Sequence, residues 1–389
     1  MIVNKKVPEI RFKGFSGEWE ERRLFQVVDL RSGRDYKHLS EGDIPVYGTG
    51  GYLLSVNDAL SHNEDAIGIG RKGTIDKPSL LKAPFWTVDT LFYAVPKEKH
   101  NLYFLFDIFQ TIDWKQKDES TGVPSLSKVA INETQFHIPQ KEEQSQIGTF
   151  FQNLDSLITL HQRKYDKLTT VKKAMLEKMF PKDGADVPEI RFKGFTEKWE
   201  RRQLGEVIEI SSAARVHKKE WTQAGVPFFR SSDVVAAYKG DTNSKAFISI
   251  ELYQELSKSI GRVQQNDILV TGGGSIGIPY LVESNEPLYF KDADLLWFKK
   301  SENISGRFLH TFLTTTVFRG YVQSITHIGT ISHYTIEQAK STPIKLPNLN
   351  EQNKIEEFFN SLDSLISLQL RELDKLKNIK KACLEKMFV

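Results

Sequence analysis

The sequence predicts an α+β chain built twice: two similar mixed α/β domains separated by two long helices that pair as an antiparallel coiled coil, with approximate two-fold symmetry. Three observations predict it. A stretch from Glu143 to Phe180 returns from Glu351 to Phe388 at a constant offset of 208, with 22 of the 37 positions from Gln144 onward identical. A nine-residue segment, VPEIRFKGF, stands at Val7–Phe15 and again at Val187–Phe195, offset 180. Everything between these repeats diverges in sequence yet keeps the same succession of turn signals and short apolar runs.

Taken in order, the chain divides into a repeat segment (1–15), a first insert (16–140), a first spacer helix (141–181), a linker with the second repeat segment (182–195), a second insert (196–348) and a second spacer helix (349–389). The first insert opens with Trp19-Glu20 and LFQVVDL. It continues through turn-rich stretches (SGRDY, EGDIP, YGTGG, GRKGT) that separate β-branched and aromatic runs, the pattern of short strands. A helix is expected near Leu102–Trp114. The second insert opens with Trp199-Glu200 and repeats the plan with GVPFFRSSDV, a polar helix near Ile250–Ser259, DILVTGGGSIG, and a helix near Arg307–Tyr321. Asp65–Ile75 aligns with Asp267–Ile276, and Gly122–Ser127 with Gly329–His333.

In the first long stretch Ile147, Phe151, Leu154, Ile158, His161, Tyr165, Leu168, Lys172, Met175 and Met179 recur at alternating spacings of four and three, the seam of a coiled coil. The second copy places Gln369 and Lys380 where the first has His161 and Lys172, so the polar interruptions coincide and read as register devices. Phe150, Leu157 and Leu160, with Phe358, Leu365 and Leu368 in the second copy, widen the apolar stripe beyond one partner's needs. They are the candidate docking residues. Each helix, at about 38 residues, would span roughly 57 Å. Antiparallel pairing would place the inserts at opposite ends of this spacer.

Composition excludes several classes. Hydrophobic content of 39% and charged content of 26% are globular values, and the net charge of +3 decides nothing. No apolar run is long enough to span a bilayer, and the first residues carry no signal core, so a cytoplasmic protein is expected. The single cysteine, Cys383, aligns with Met175 and reads as a seam residue. Both inserts match G-x-G-x-x-G (Gly68, Gly70, Gly73; Gly272, Gly274, Gly277), but β-like runs and Pro78 or Pro279 follow rather than a helix. These are therefore read as strand–turn–strand, not dinucleotide sites. With no metal-ligand spacing and no nucleophile or methyltransferase motif, the chain is expected to be non-catalytic by itself, with no metal.

The divergent loops are rich in residues that neutralise phosphates or read base edges. In the first insert the candidate DNA-binding residues are Arg34, Tyr36, Lys37, Tyr47, Thr49, Arg71, Lys72, Thr74, Ser125, Ser127 and Lys128. In the second they are Arg215, Lys218, Lys219, Arg230, Ser231, Ser275, Thr330, Ser332, His333 and Tyr334.

These features together resemble the specificity (S) subunit of type I restriction–modification systems. The carrying residues are Pro139-Gln-Lys-Glu-Glu-Gln144-x-x-Ile147 and Pro347-Asn-Leu-Asn-Glu-Gln352-x-x-Ile355, each closing an insert and opening a helix, with IPVYGTGG (Ile44–Gly51), GRKGTI (Gly70–Ile75) and TVDTLF (Thr87–Phe92). The resemblance implies that each insert is a target-recognition domain reading one half of a split, asymmetric site in double-stranded DNA. It implies that the helices set the gap and bind two modification (M) subunits, to which restriction (R) subunits are added. S-adenosylmethionine, ATP and Mg are expected on those partners and no cofactor on this chain. The alternative from another class is a tandem coiled-coil adaptor whose inserts bind proteins or glycans without nucleic acid.

Overall fold

The computed structural model describes residues 6–97, 100–182, 184–292, 294–326 and 333–389. It resolves into two compact units. One comprises residues 1–164 with 369–389, the other residues 165–368. The division falls inside both long helices, Lys141–Lys178 and Leu349–Met387, so each helix contributes a part to each unit.

In the first unit, Glu20–Arg23 pairs antiparallel with Gln135–Ile138, closing the insert at the point where the long helix starts. Between them lies a four-stranded antiparallel sheet in the order Val28–Ser32, Leu91–Pro96, Ala66–Gly70, Ser79–Leu81. A smaller sheet has the order Gly51–Val56, Glu41–Gly48, Trp86–Thr87, its last pair parallel. The strands form in β-branched and aromatic runs between Gly-rich turns. The two inner strands, Leu91–Pro96 and Ala66–Gly70, are continuous apolar runs, and Ala66–Gly70 is buried throughout.

The second unit repeats this plan. Glu200–Gln203 pairs with Pro343–Leu346. One sheet runs Ile210–Ser211, Leu295–Phe298, Ile268–Thr271, Pro279–Leu281, and the other runs Trp221–Thr222, Ala246–Ile248, Val226–Phe229, Tyr289–Phe290. The parallel pair is again last, with Phe228 opposite Tyr289 as Val46 is opposite Trp86. The plans part after this strand. The first unit turns back through Thr49-Gly50 into a hairpin, whereas the second enters a helix, Ser231–Lys239. That helix was not expected from the sequence. Its signals are Asp233, whose carboxylate accepts the Arg230 N–H (2.9 Å), and Gly240, left-handed at φ 72°, which ends it. The segment expected to be helical from Arg307 to Tyr321 is two helices, Gly306–Leu313 and Thr316–Thr326.

Each unit contains an antiparallel helix pair sealed by one aromatic box. In the first unit Phe388 packs on Trp19 (6.1 Å), Phe104 (5.6 Å) and Phe151 (5.7 Å). In the second, Phe180 packs on Trp199 (6.0 Å), Phe308 (5.5 Å) and Phe359 (6.4 Å), the equivalent residues. Ile147, Phe151 and Leu154 are buried in one core and Ile355, Phe359 and Leu362 in the other. The Glu-Gln-x-x-Ile motif is structural. Glu143, 1% exposed, takes a two-pronged ion pair from Arg11 (2.7 Å each), Gln144 Nε2 donates to Pro139 O (2.9 Å), and Ile147 enters the core. Arg191 with Glu351 (2.7 Å each) and Gln352 with Pro347 O (3.0 Å) repeat the arrangement. The nine-residue repeat is therefore a strap. Its arginine holds the start of one long helix while its isoleucine N–H reaches the end of the other: Ile10 to Lys386 O and Ile190 to Lys178 O, both 3.0 Å.

Candidate nucleic-acid interface

In the first unit, the segment from Thr87 to Leu91 is a backbone hub. Thr87 O accepts from Arg34 N (2.9 Å), Val88 N donates to Tyr47 O (3.0 Å), and Thr90 O accepts from Arg71 N (2.8 Å) and Lys72 N (3.3 Å). The Gly70–Gly73 turn is pinned in turn to the loop before Ser127. Leu126 N donates to Arg71 O (2.9 Å) and Gly73 N to Pro124 O (2.8 Å). Glycine is required twice here. A Cβ on Gly70 would lie 2.0 Å from Thr74 O, and Gly73 has φ +94° with Thr49 Oγ1 3.7 Å from where its Cβ would be. No helix follows the turn, as the strand–turn–strand reading expects.

Arg71, Lys72, Ser125, Ser127 and Lys128 are thereby brought to one groove of about 780 Å³, with Thr49 of the hairpin beside Gly73. Ser127 Oγ caps the short helix Lys128–Asn132 by accepting from Ala130 N (3.0 Å). Arg34 and Lys37 are exposed. Tyr36 and Tyr47 are half-buried and pack against the apolar clusters of the insert, and Thr74 is half-buried within the turn.

The second unit carries the same frame. Lys291 N donates to Phe229 O (2.8 Å), Gly272 N to Asp294 O (2.8 Å) and Tyr334 N to Gly272 O (2.8 Å). Ser231 Oγ also donates to Asp294 O (3.0 Å), which brings the start of the extra helix to the Gly-rich turn. Ser275 is exposed on that turn, and the His333 ring lies 3.6 Å from the Cβ position of Gly273. Arg230 is held by Asp233 (2.8 Å), whose hydrogen bonds raise the guanidinium's already high pKa, and Arg215 is held by Asp292 (2.9 Å). Lys218 and Lys219 are exposed on a single 3-10 turn, and no hydrogen bond or ion pair among the described residues ties them to the Gly-rich turn. Thr330 and Ser332 lie outside the described residues.

Tyr334 is not a surface residue, which corrects its assignment as a DNA contact. It is 1% exposed, its hydroxyl is 2.6 Å from Thr342 Oγ1, and burial pushes its phenol well above the ordinary range. The shared hydrogen-bond frame sets Tyr334 on Leu126, a core leucine, at offset 208. The loop alignment from sequence was therefore one residue out at Gly122 and two at Ser127. Among the docking candidates, Leu157, Leu160, Leu365 and Leu368 are each 45–46% exposed. Phe150 and Phe358 differ: their own straps cover them, Phe12 lying edge-on at 5.8 Å and Phe192 at 6.1 Å, so both are half-buried. Among the described residues, no cluster of three or more His, Cys, Asp or Glu could hold a metal ion, and no helix is long and apolar enough to cross a membrane.

Two copies of one mixed fold, each offering a different polar loop surface on a common frame, define a protein with paired recognition modules. The chain belongs to the type I restriction–modification DNA specificity family, whose domain matches residues 16–170 and again 196–378, and it is a specificity subunit of such a system. Its sequence is 26% identical over 345 residues to the type I restriction enzyme MjaVIII specificity subunit of Methanocaldococcus jannaschii, covering 85% of this chain and 77% of that one. It is 23% identical over 330 residues to a putative type I restriction enzyme specificity subunit of Haemophilus influenzae, covering 83% and 81%. The crystal structure of the type I restriction–modification S subunit from M. genitalium shares the fold, with a TM-score of 0.71 at 15% identity over 98% of this chain and 99% of that chain. Membership of this family displaces the adaptor alternative.

Proposed function

We propose that each unit reads one half of a bipartite, asymmetric DNA site, and that the exposed leucines of the long helices receive two modification subunits, to which restriction subunits add. One observation carries this reading. Three of the hydrogen bonds that fix the loops recur at matching positions in both units, from Val88 and Lys291, Arg71 and Gly272, and Leu126 and Tyr334, yet the residues on them differ: Arg71-Lys72-Gly73 against Gly272-Gly273-Gly274, and Ser125 against His333. A frame kept while its side chains are exchanged suits two readers of different base sequence. The chain acts without chemistry of its own. S-adenosylmethionine, ATP and Mg belong to the partner subunits in this reading.

Selection from a random DNA pool by the full chain with its modification subunit tests it. A consensus of two unlike blocks separated by a fixed gap is expected, with affinity falling steeply with salt through counterion release. Recovery of an ungapped or symmetric site would overturn the two-reader assignment.

A further inference from the structure

We infer that Arg71 reads a guanine in the half-site of the first unit, and that Lys72 and Lys128 hold the flanking phosphates. This rests on the DNA-reading function proposed above and assigns the base and the contacts.

Several other cations of this unit are neutralised, Arg31 by Asp29 (2.7 Å) and Glu64 (2.6 Å), Lys82 by Asp65 (2.6 Å) and Lys115 by Asp76 (2.9 Å), while Arg34 and Lys37 are exposed but do not line this groove. Among the described residues, no carboxylate comes within ion-pair distance of Arg71, Lys72 or Lys128, although all three border one groove. Asp89 and Glu119 line the same groove and leave it one positive charge in excess, but three cations free of ion pairs on one concave surface suit the phosphates of a polyanion.

The three are not held alike. The Arg71 guanidinium lies 5.9 Å from the centre of the Phe92 ring, and its Nη1 is 3.4 Å from Asp89 O. A guanidinium has five N–H donors in a fixed fork, so this anchoring uses one edge and leaves the rest directed at an incoming acceptor pair. Guanine offers such a pair in O6 and N7, whereas adenine sets a donor beside its N7. Preorganisation by ring and carbonyl lowers the entropy cost of a geometrically exacting contact. Lys72 has no ordered side-chain partner among the described residues, and the Lys128 ammonium is 6.0 Å from the same Phe92 ring. A flexible point charge suits a phosphate. The groove also holds Asp89 and Glu119, acceptors of the kind that meet the amino group of the paired cytosine.

The second unit supplies the internal contrast. Gly272 and Gly273 occupy the frame positions of Arg71 and Lys72, so this contact belongs to one half-site only.

The experiment is consensus selection and quantitative binding by the full chain with its modification subunit, comparing wild type with Arg71→Ala, Arg71→Lys, Lys72→Ala and Lys128→Ala. Arg71→Ala and Arg71→Lys should each lose about 10-fold or more of the preference for G·C at one base pair of one half-site, leaving the other half unchanged. Arg71→Lys should keep the wild-type salt dependence. Lys72→Ala and Lys128→Ala should weaken all sequences alike and lower the salt slope by about 1 each. A wild-type gapped consensus that Arg71→Ala leaves intact, with uniformly weaker binding, makes Arg71 a phosphate contact and overturns the assignment alone. A wild type with no gapped consensus overturns the DNA-reading function and the assignment with it.

Discussion

His161 Nδ1 lies 2.8 Å from Gln369 Oε1, and the two residues are 208 positions apart, the offset of the helix repeat. A polar seam position thus meets its own duplicate. The other polar seam position behaves consistently: Lys380 pairs with Asp155 at 2.6 Å in the first unit, and Lys172 pairs with Asp363, the duplicate of Asp155, in the second. Each interruption has a cross-helix partner in this register. A slide by one heptad would set lysines against apolar seam residues and strand the aspartates.

Replacing His161, Lys172, Gln369 and Lys380 with leucine should therefore leave thermal stability equal or higher while degrading the uniqueness of helix pairing. Sedimentation analysis should show mixed association states, and engineered cross-helix cysteines should trap more than one register. A single species with one trapped register would show that apolar packing alone sets the alignment.

His310 should impose an acid limit on the second unit. Burial, and then the charge of Lys172, push its imidazole down to about 4, although part of the side chain keeps some surface. Its folded pKa lies below the unfolded value of about 6.5. The unfolded chain therefore binds the extra proton first, and stability is lost as pH falls from about 6.5 towards 4, by up to about 3 kcal/mol. The corresponding residue of the first unit, one position before Asp107, is Phe106. His310→Phe should abolish this loss, as urea midpoints at pH 7 and pH 4.5 would show. An unchanged drop between the two pH values would assign the acid limit elsewhere.

Arg11→Ala should destabilise the first unit, and Arg191→Ala the second, each by about 3–5 kcal/mol, because Glu143 and Glu351 are each 1% exposed and would be left buried without their ion-pair partner. Adding Glu143→Gln to Arg11→Ala should recover much of the loss. Denaturant titration of the two single variants and the double variant measures the coupling. A double variant no better than Arg11→Ala would mean that the strap acts through packing of Phe12 instead.

Glutamate at Leu157 and Leu160, or at Leu365 and Leu368, should change stability by less than about 1 kcal/mol, since these side chains are nearly half exposed. Either pair should cost the complex one modification subunit, and both pairs together should cost it two. Native mass spectrometry reads the stoichiometry directly. Full occupancy in the four-site variant would move the docking surface off this stripe.

The helices were legible because a 208-residue repeat carries the same apolar spacing twice, and the burial of Ile147, Phe151 and Leu154 follows that spacing. The strap was visible as a repeat, but its purpose was not, since no sequence rule pairs Arg11 with a glutamate 132 residues on. Hence Phe150 and Phe358 looked free when Phe12 and Phe192 cover them. In the first unit, Arg71, Lys72, Ser125 and Lys128 could be nominated from composition and do share a groove. Composition failed at Tyr334, because a tyrosine beside polar residues suits a surface loop as well as a core. The helix repeat itself held the correction: extending its offset back through the loop sets Tyr334 on Leu126. The helix Ser231–Lys239 was not legible because its opening residues, Ser231, Ser232 and Asp233, suit a polar loop as well as a helix start.

The first unit is assembled from the two extremes of the chain, and this has a consequence during translation. The second unit is one continuous span, residues 165–368, and can close as soon as it leaves the ribosome. The first must wait for residues 369–389: Phe388, which completes the box around Trp19, Phe104 and Phe151, is made 237 residues after Phe151. At about 5–20 residues per second that interval is roughly 10–50 s. Throughout it the nascent chain presents an unfinished aromatic surface, so chaperone capture and proteolysis of the newborn protein should concentrate on the half that is synthesised first and sealed last.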